Sequence, residues 1–130
     1  MMRKHTLLSA DEKEKFFSAG VQFFNKGQFF ESHEEWEHIW LKEEGALKPF
    51  YQGLIQVAAG FHHAQKKNLR PAINCLEKGI TKLEPFQKAL EKFLKQVKES
   101  LELLKKGKSL TFPIIDNTDY PPPDDPSHRK

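Results

Sequence analysis

The sequence predicts an all-α fold, a single compact bundle of about five helices followed by an extended, proline-rich tail. Apolar residues recur at three- and four-residue intervals from Phe16 to Leu104, the spacing of one face of a helix. Short Gly, Asn and Pro signals interrupt that pattern at helical lengths. Nothing in the chain argues for a sheet. At 130 residues and 15.1 kDa it fits one domain, large enough to bury a core without a disulfide or metal. The expected division is a helical domain over residues 1–110 and an extended, partly disordered tail over 111–130.

The first helix opens at Ser9-Ala10-Asp11-Glu12, the Ser-x-x-Glu pattern of a capping box. Phe16, Phe17, Gly20, Val21, Phe23 and Phe24 follow at helical spacing until Asn25-Lys26-Gly27 ends the run. A second helix starts near Phe29 and runs to about Glu43, where Gly45 breaks it. Pro49 is tolerated in the first turn of a third helix over residues 47–67. That helix is apolar around most of its circumference and belongs at the centre of the bundle. Asn68 closes it, and a fourth helix carries Ala72, Ile73, Leu76, Ile80 and Leu83. Pro85 lies near the next break, and a fifth helix presents Phe86, Leu90, Phe93, Leu94, Val97, Leu101 and Leu104 as one stripe up to Gly107. Isolated Gly20, Gly53, Gly60 and Gly79 allow close helix approach. Beyond Lys108, where five of the eight prolines lie, residues 112–115 are apolar enough to dock as an extended segment. From Tyr120 onward mobility is expected.

Composition bounds the function. Hydrophobic residues are 38%, charged residues 30%, and the mean hydropathy is −0.67. The longest nearly apolar stretch, residues 54–61, is interrupted by Gln56 and too short to span a bilayer. The N-terminus has no apolar core of signal-peptide length, and the one cysteine, Cys75, fits a reducing compartment. A cytoplasmic protein without a membrane partner is expected. Lys and Arg number 21 against 18 Asp and Glu, and the basic residues are mostly lysines spread along the chain. A nucleic-acid partner is therefore not expected.

The most informative segment is Phe29-Phe30-Glu31-Ser32-His33-Glu34-Glu35-Trp36-Glu37-His38-Ile39-Trp40. At about 100° per residue, Phe29, Phe30, Trp36, Glu37 and Trp40 fall within about 60° of His33, while Glu31, Glu35, His38 and Lys42 point to solvent. His33 and Glu37 thus share the aromatic face, where an unpaired carboxylate would be costly. As an ion pair their order is unfavourable, because the acid does better N-terminal to the base. As an imidazole and a carboxylate one turn apart they suit a divalent cation. His33-Glu34 begins like the His-Glu-x-x-His motif of zinc hydrolases, but Glu37 stands at its last position. Further ligands would have to come from the third helix. There Gln52, Gln56 and His63 form one face, and His62 shares another with Tyr51, Ile55 and Ala59. Spacing alone does not choose between His62 and His63.

The segments FFNKGQFFESHEEWEHIW, FYQGLIQVAAGFHHAQKKN and RPAINCLEKG together resemble the bacterial and archaeal family called domain of unknown function 309. Its His-x-x-x-Glu-x-x-Trp/Tyr pattern is matched by His33, Glu37 and Trp40, its Asn-x-Gly-x-Phe turn by residues 25–29, and its Gly-Leu-Ile-Gln segment by residues 53–56. The family histidine before a short turn is best matched by His62. The resemblance runs over about residues 16–82 and departs locally where Pro71-Ala72 replaces Gly-Ala. It implies a small all-helical bundle, and family members are commonly labelled predicted metal-dependent hydrolases.

Two functional expectations follow. In the first, favoured reading, the protein is a non-enzymatic scaffold or binding module. There His33 and Glu37 belong to a buried hydrogen-bond network around Trp36 and Trp40, and function lies on a groove or a self-association face. In the second, His33, Glu37 and His62 hold one zinc, iron or manganese ion, and Glu34 positions a metal-activated water for hydrolysis. Trp36, Trp40, Tyr51, Gln56 and His63 would line that pocket.

Overall fold

A computed structural model describes residues 7–116 of the chain. Its elements are α1 (Ala10–Asn25), α2 (Phe29–Lys42), α3 (Lys48–Gln65), α4 (Leu69–Leu83), a 3-10 turn (Glu84–Phe86) and α5 (Glu91–Lys105). The described residues contain no strand. The capping box closes as its residues imply: Ser9 Oγ accepts from the Glu12 amide at 3.1 Å, and the Glu12 carboxylate accepts from the Ser9 amide at 2.9 Å. Pro49 occupies the first turn of α3, where its missing N–H is not needed. Gly27 and Gly107, at φ 78° and 68°, end α1 and α5 in the left-handed conformation that lacks a penalty only for glycine. Lys67 takes the same conformation, φ 63°, after α3.

One boundary differs from the sequence reading. The fifth helix begins at Glu91 and not at Phe86. From Glu84 the chain makes successive three-residue turns, with the Gln87, Ala89 and Leu90 amides donating to the Glu84, Phe86 and Gln87 carbonyls at 3.0, 3.0 and 3.2 Å. These turns still bring Phe86 onto Phe50, ring centroids 5.4 Å apart, and bury Leu90. Apolar spacing therefore continues through a segment that is not α-helical.

Consecutive helices pack against one another in antiparallel succession. Phe16 meets His38 and Phe24 meets Phe29 across α1 and α2; Phe30 meets His62 and Lys48 meets Trp40 across α2 and α3. The glycines set the closest approaches. A Cβ on Gly79 would lie 2.7 Å from Val57 Cγ2 and 2.9 Å from the Gly53 carbonyl, and Gly53 and Gly60 are pressed by Leu83 and Leu76. The core is aromatic at its centre, where Phe24 meets Phe29, Trp36, Phe61 and Phe93 at centroid distances of 4.9 to 6.0 Å.

After α5 the chain runs extended to Asp116. Pro113 and Ile115 are buried and Ile114 faces outward, while Phe112, 36% exposed, lays its ring against Phe29 and Phe61 at 5.0 and 5.4 Å. Asn25 clamps the segment: Asn25 Oδ1 accepts from the Ile115 amide at 2.8 Å and Nδ2 donates to the Ile115 carbonyl at 3.1 Å. The expected mobility from Tyr120 onward concerns a segment outside the described residues. No helix among the described residues is long and apolar enough to cross a membrane.

Candidate functional site

The buried arc of α2 comprises Phe29, Ser32, Trp36 and Ile39. Its centre lies about 80° from His33 around the helix, so the face expected to be buried is rotated. Contact with α1 is the cause. Ser32 is fully buried because its Oγ donates to the Gly20 carbonyl at 2.8 Å, and Trp36 donates from Nε1 to the Phe17 carbonyl at 3.2 Å. His33, Glu37 and Trp40 consequently sit at the edge of the arc, half-buried, on the side that faces α3. Phe30 and Leu41 lie further round and are 49% and 62% exposed. Glu31, Glu34 and His38 are exposed and Glu35 and Lys42 half-buried. His38 stacks on Phe16 with centroids 4.7 Å apart.

The network expected around the tryptophans is therefore divided. Trp36 and Ser32 fasten α2 to α1, without His33 or Glu37. His33 Nδ1 and Trp40 Nε1 are buried and make no hydrogen bond. Trp40 is positioned by Lys48, whose Nζ donates to the Trp40 and Glu43 carbonyls at 2.7 and 3.1 Å and lies 4.5 Å from the indole centroid. A cation at the end of α2 also complements the helix dipole.

On α3 the structure distinguishes the two histidines. The His62 ring lies 5.6 Å from Phe30, which in turn stacks on His33 at 6.0 Å. The His62 imidazole is held below its ordinary pKa, first by burial and then by the neighbouring Lys66 and His63 charges. Gln56 lies about 120° round α3 from His62, so it does not meet His33; its Oε1 is buried and unpartnered. Gln52 and His63 share the Gln56 side and are half-buried. Tyr51 is a core residue packed edge-on to Phe50 at 5.1 Å.

The residues fit a metal poorly. Among the described residues no group of three or more His, Cys, Asp or Glu is placed to hold an ion. His33 and Glu37 contribute two donors from one helix. Cys75 is a free, half-buried thiol whose pKa burial pushes up, so it is no ready thiolate ligand.

One buried charge has no sequence signal. Glu43, just past α2, is almost fully buried and pairs with Lys13 at 2.8 Å, thirty positions away in the chain. It also accepts from the Gly45 amide at 3.3 Å. This pair fastens the end of α2 to α1 and so fixes the orientation of the strip from Phe30 to Leu41.

Residues 17–75 match the model of the family described as Domain of unknown function (DUF309), which agrees with the resemblance carried by the His33, Glu37 and Trp40 motif. No curated protein matches the chain. No solved structure matches it.

Proposed function

We propose that the protein is a non-enzymatic helical binding module, and that a partner docks on the outer face of α2. The observation that carries this reading is the line from Phe30 to Leu41, two large apolar side chains left 49% and 62% exposed. They are eleven residues apart, hence about 20° apart in azimuth and about 16 Å along the helix. Glu34 and Glu37 lie on the line between them. His33 Nδ1 and Trp40 Nε1, both unpartnered, lie beside it. Both atoms are buried, so they border the docking strip without forming part of its contact surface. The complement is an amphipathic helix with apolar residues at its ends and a basic residue at its centre. Antiparallel pairing of two copies through α2, with Phe30 on Leu41, would set Glu34 of each against Glu37 of the other, so the partner is a different chain.

Selection of a helical peptide library against the immobilised protein tests this. The expected winners are basic at the centre, and their binding is lost on Leu41→Asp with the fold intact. Enrichment no better than on blank support, or binding indifferent to both Phe30→Asp and Leu41→Asp, would overturn it.

A second reading keeps the metal. Its one favouring observation is the unpartnered His33 Nδ1 one turn from Glu37, a two-point anchor to which His62 would have to move to add a third donor, with Glu34 as base. It requires about one zinc, iron or manganese ion per chain and its loss on His33→Ala.

A further inference from the structure

Three chain reversals meet at one end of the bundle. Gln65 Nε2 donates to the Gly27 carbonyl at 2.8 Å, joining the turn between α3 and α4 to that between α1 and α2. A groove of about 580 Å³ then joins Gln65, Lys67 and Leu69 to Gly107, Lys108 and Phe112 beyond α5. All three reversals are built alike. A lysine stands at each C-cap, Lys26, Lys66 and Lys106. A left-handed residue follows, and the next amide, of Gln28, Asn68 or Lys108, donates back to Phe23, His63 or Leu103 at 2.9 Å.

Lysine at a helix C-terminus is favoured by the dipole, which accounts for the three caps. It does not account for Lys67, a lysine at φ 63° where the two sister turns have glycine. Lys105 is paired with Glu77 at 3.3 Å and Glu102 at 4.0 Å. Lys26, Lys66, Lys67, Arg70, Lys106 and Lys108 form no ion pair among the described residues. These six cations exceed the net charge of the whole chain, +3, so the rest of the molecule is net negative. Among them, at the mouth of a groove floored by Leu104 and Leu110, lie Leu69, 48% exposed, and the outer edge of Phe112, 36% exposed with its ring seated on Phe29 and Phe61.

We infer that this end of the bundle docks on an anionic phospholipid surface, its lysines at the phosphates and Leu69 and Phe112 entering the acyl boundary. Apolar insertion and attraction to anionic lipids add in the binding of a protein to a membrane surface. A nucleic-acid binder would carry more arginine, whereas five of these six cations are lysines and the apolar side chain most exposed among them is the aliphatic Leu69. The inference does not use the α2 strip, of which only Phe30, in the first turn of α2, approaches this end of the bundle.

The test is co-sedimentation of the full chain with vesicles of phosphatidylglycerol and phosphatidylcholine in equal parts. At low salt the protein is expected to pellet with these and not with pure phosphatidylcholine, and to be released at high salt. Each lysine at the surface contributes roughly five-fold to the affinity. Lys67→Gly should therefore weaken binding about five-fold while leaving the melting temperature unchanged or raised, which separates lost contact from lost fold. Leu69→Ser should weaken it further. Failure to bind anionic vesicles, undiminished binding by the Lys67→Glu, Lys108→Glu double variant, or displacement by poly(U) at equal phosphate concentration would overturn the inference.

Discussion

Gly20→Ala separates what helix propensity dictates from what packing dictates. In the middle of an α-helix, alanine is favoured over glycine by about 1 kcal/mol, so α1 considered alone would gain stability. The packing reverses the sign. A methyl on Gly20 would stand 2.5 Å from Trp36 Cδ1 and 2.6 Å from Cε2. The indole cannot swing aside: it is fully buried, wedged near Phe17 and Phe24, and its Nε1–H is held by the Phe17 carbonyl at 3.2 Å. Relief requires α2 to move off α1, which also stretches the 2.8 Å bond from Ser32 Oγ to the Gly20 carbonyl. Overpacking of this kind costs typically about 1–3 kcal/mol, and two stretched buried hydrogen bonds add about 1 kcal/mol each. Subtracting the propensity gain leaves a net loss of about 2–4 kcal/mol, a large share of the stability of a domain this size. Urea denaturation reads it as a lower midpoint with an unchanged slope. A Gly20→Ala protein as stable as the parent, or more so, would refute the account of the α1–α2 contact.

Four other substitutions check separate parts of the account. Lys13→Ala strands the buried Glu43 carboxylate and should cost about 2 kcal/mol, discounted for the partial exposure of Lys13; urea denaturation should show much of the loss recovered in Lys13→Met, Glu43→Leu. His33→Ala breaks no hydrogen bond at Nδ1 and should cost less than about 1 kcal/mol, so a loss of several kcal/mol would restore the buried network. His62 has a folded pKa below its unfolded value, so its neutral form is favoured by folding; that contribution is present above the unfolded pKa of 6.5 and is lost as pH falls through the folded pKa. Denaturation at successive pH values should show a shallower loss of stability on acidification in His62→Gln than in the parent. Lys67→Gly relieves a left-handed non-glycine residue and should gain about 0.5–1 kcal/mol in thermal unfolding, net of glycine's own entropy cost.

The helices were legible wherever the chain supplies its own boundary chemistry. The capping box at Ser9, the Asn-Lys-Gly stop after α1 and Pro49 at the head of α3 act within a few residues, and local rules suffice for them. The start of α5 was not legible, because Phe86 and Leu90 reach the core through 3-10 turns that preserve apolar spacing. The orientation of α2 is not legible for a different reason. A map of one helix treats every aromatic residue as inward, yet Phe30 is half exposed, whereas the small Ser32 is buried by a glycine on another helix. The same holds for Glu43 with Lys13, and for the clamp of Asn25 on Ile115 across ninety positions. Such pairings are fixed by tertiary contact and leave no trace in local sequence. The His33, Glu37 and Trp40 strip was recognisable as a motif. Its rotation towards the edge of the core places His33, Glu37 and Trp40 half-buried beside the exposed Phe30 and Leu41.

The most direct test of that assignment is elemental analysis of tag-free protein after incubation with excess Zn(II) or Mn(II) and desalting, beside the His33→Ala variant. A docking face predicts no stoichiometric metal in either protein and two chains of closely similar stability. About one metal ion per chain, lost in the variant, would contradict it and make the strip a metal centre.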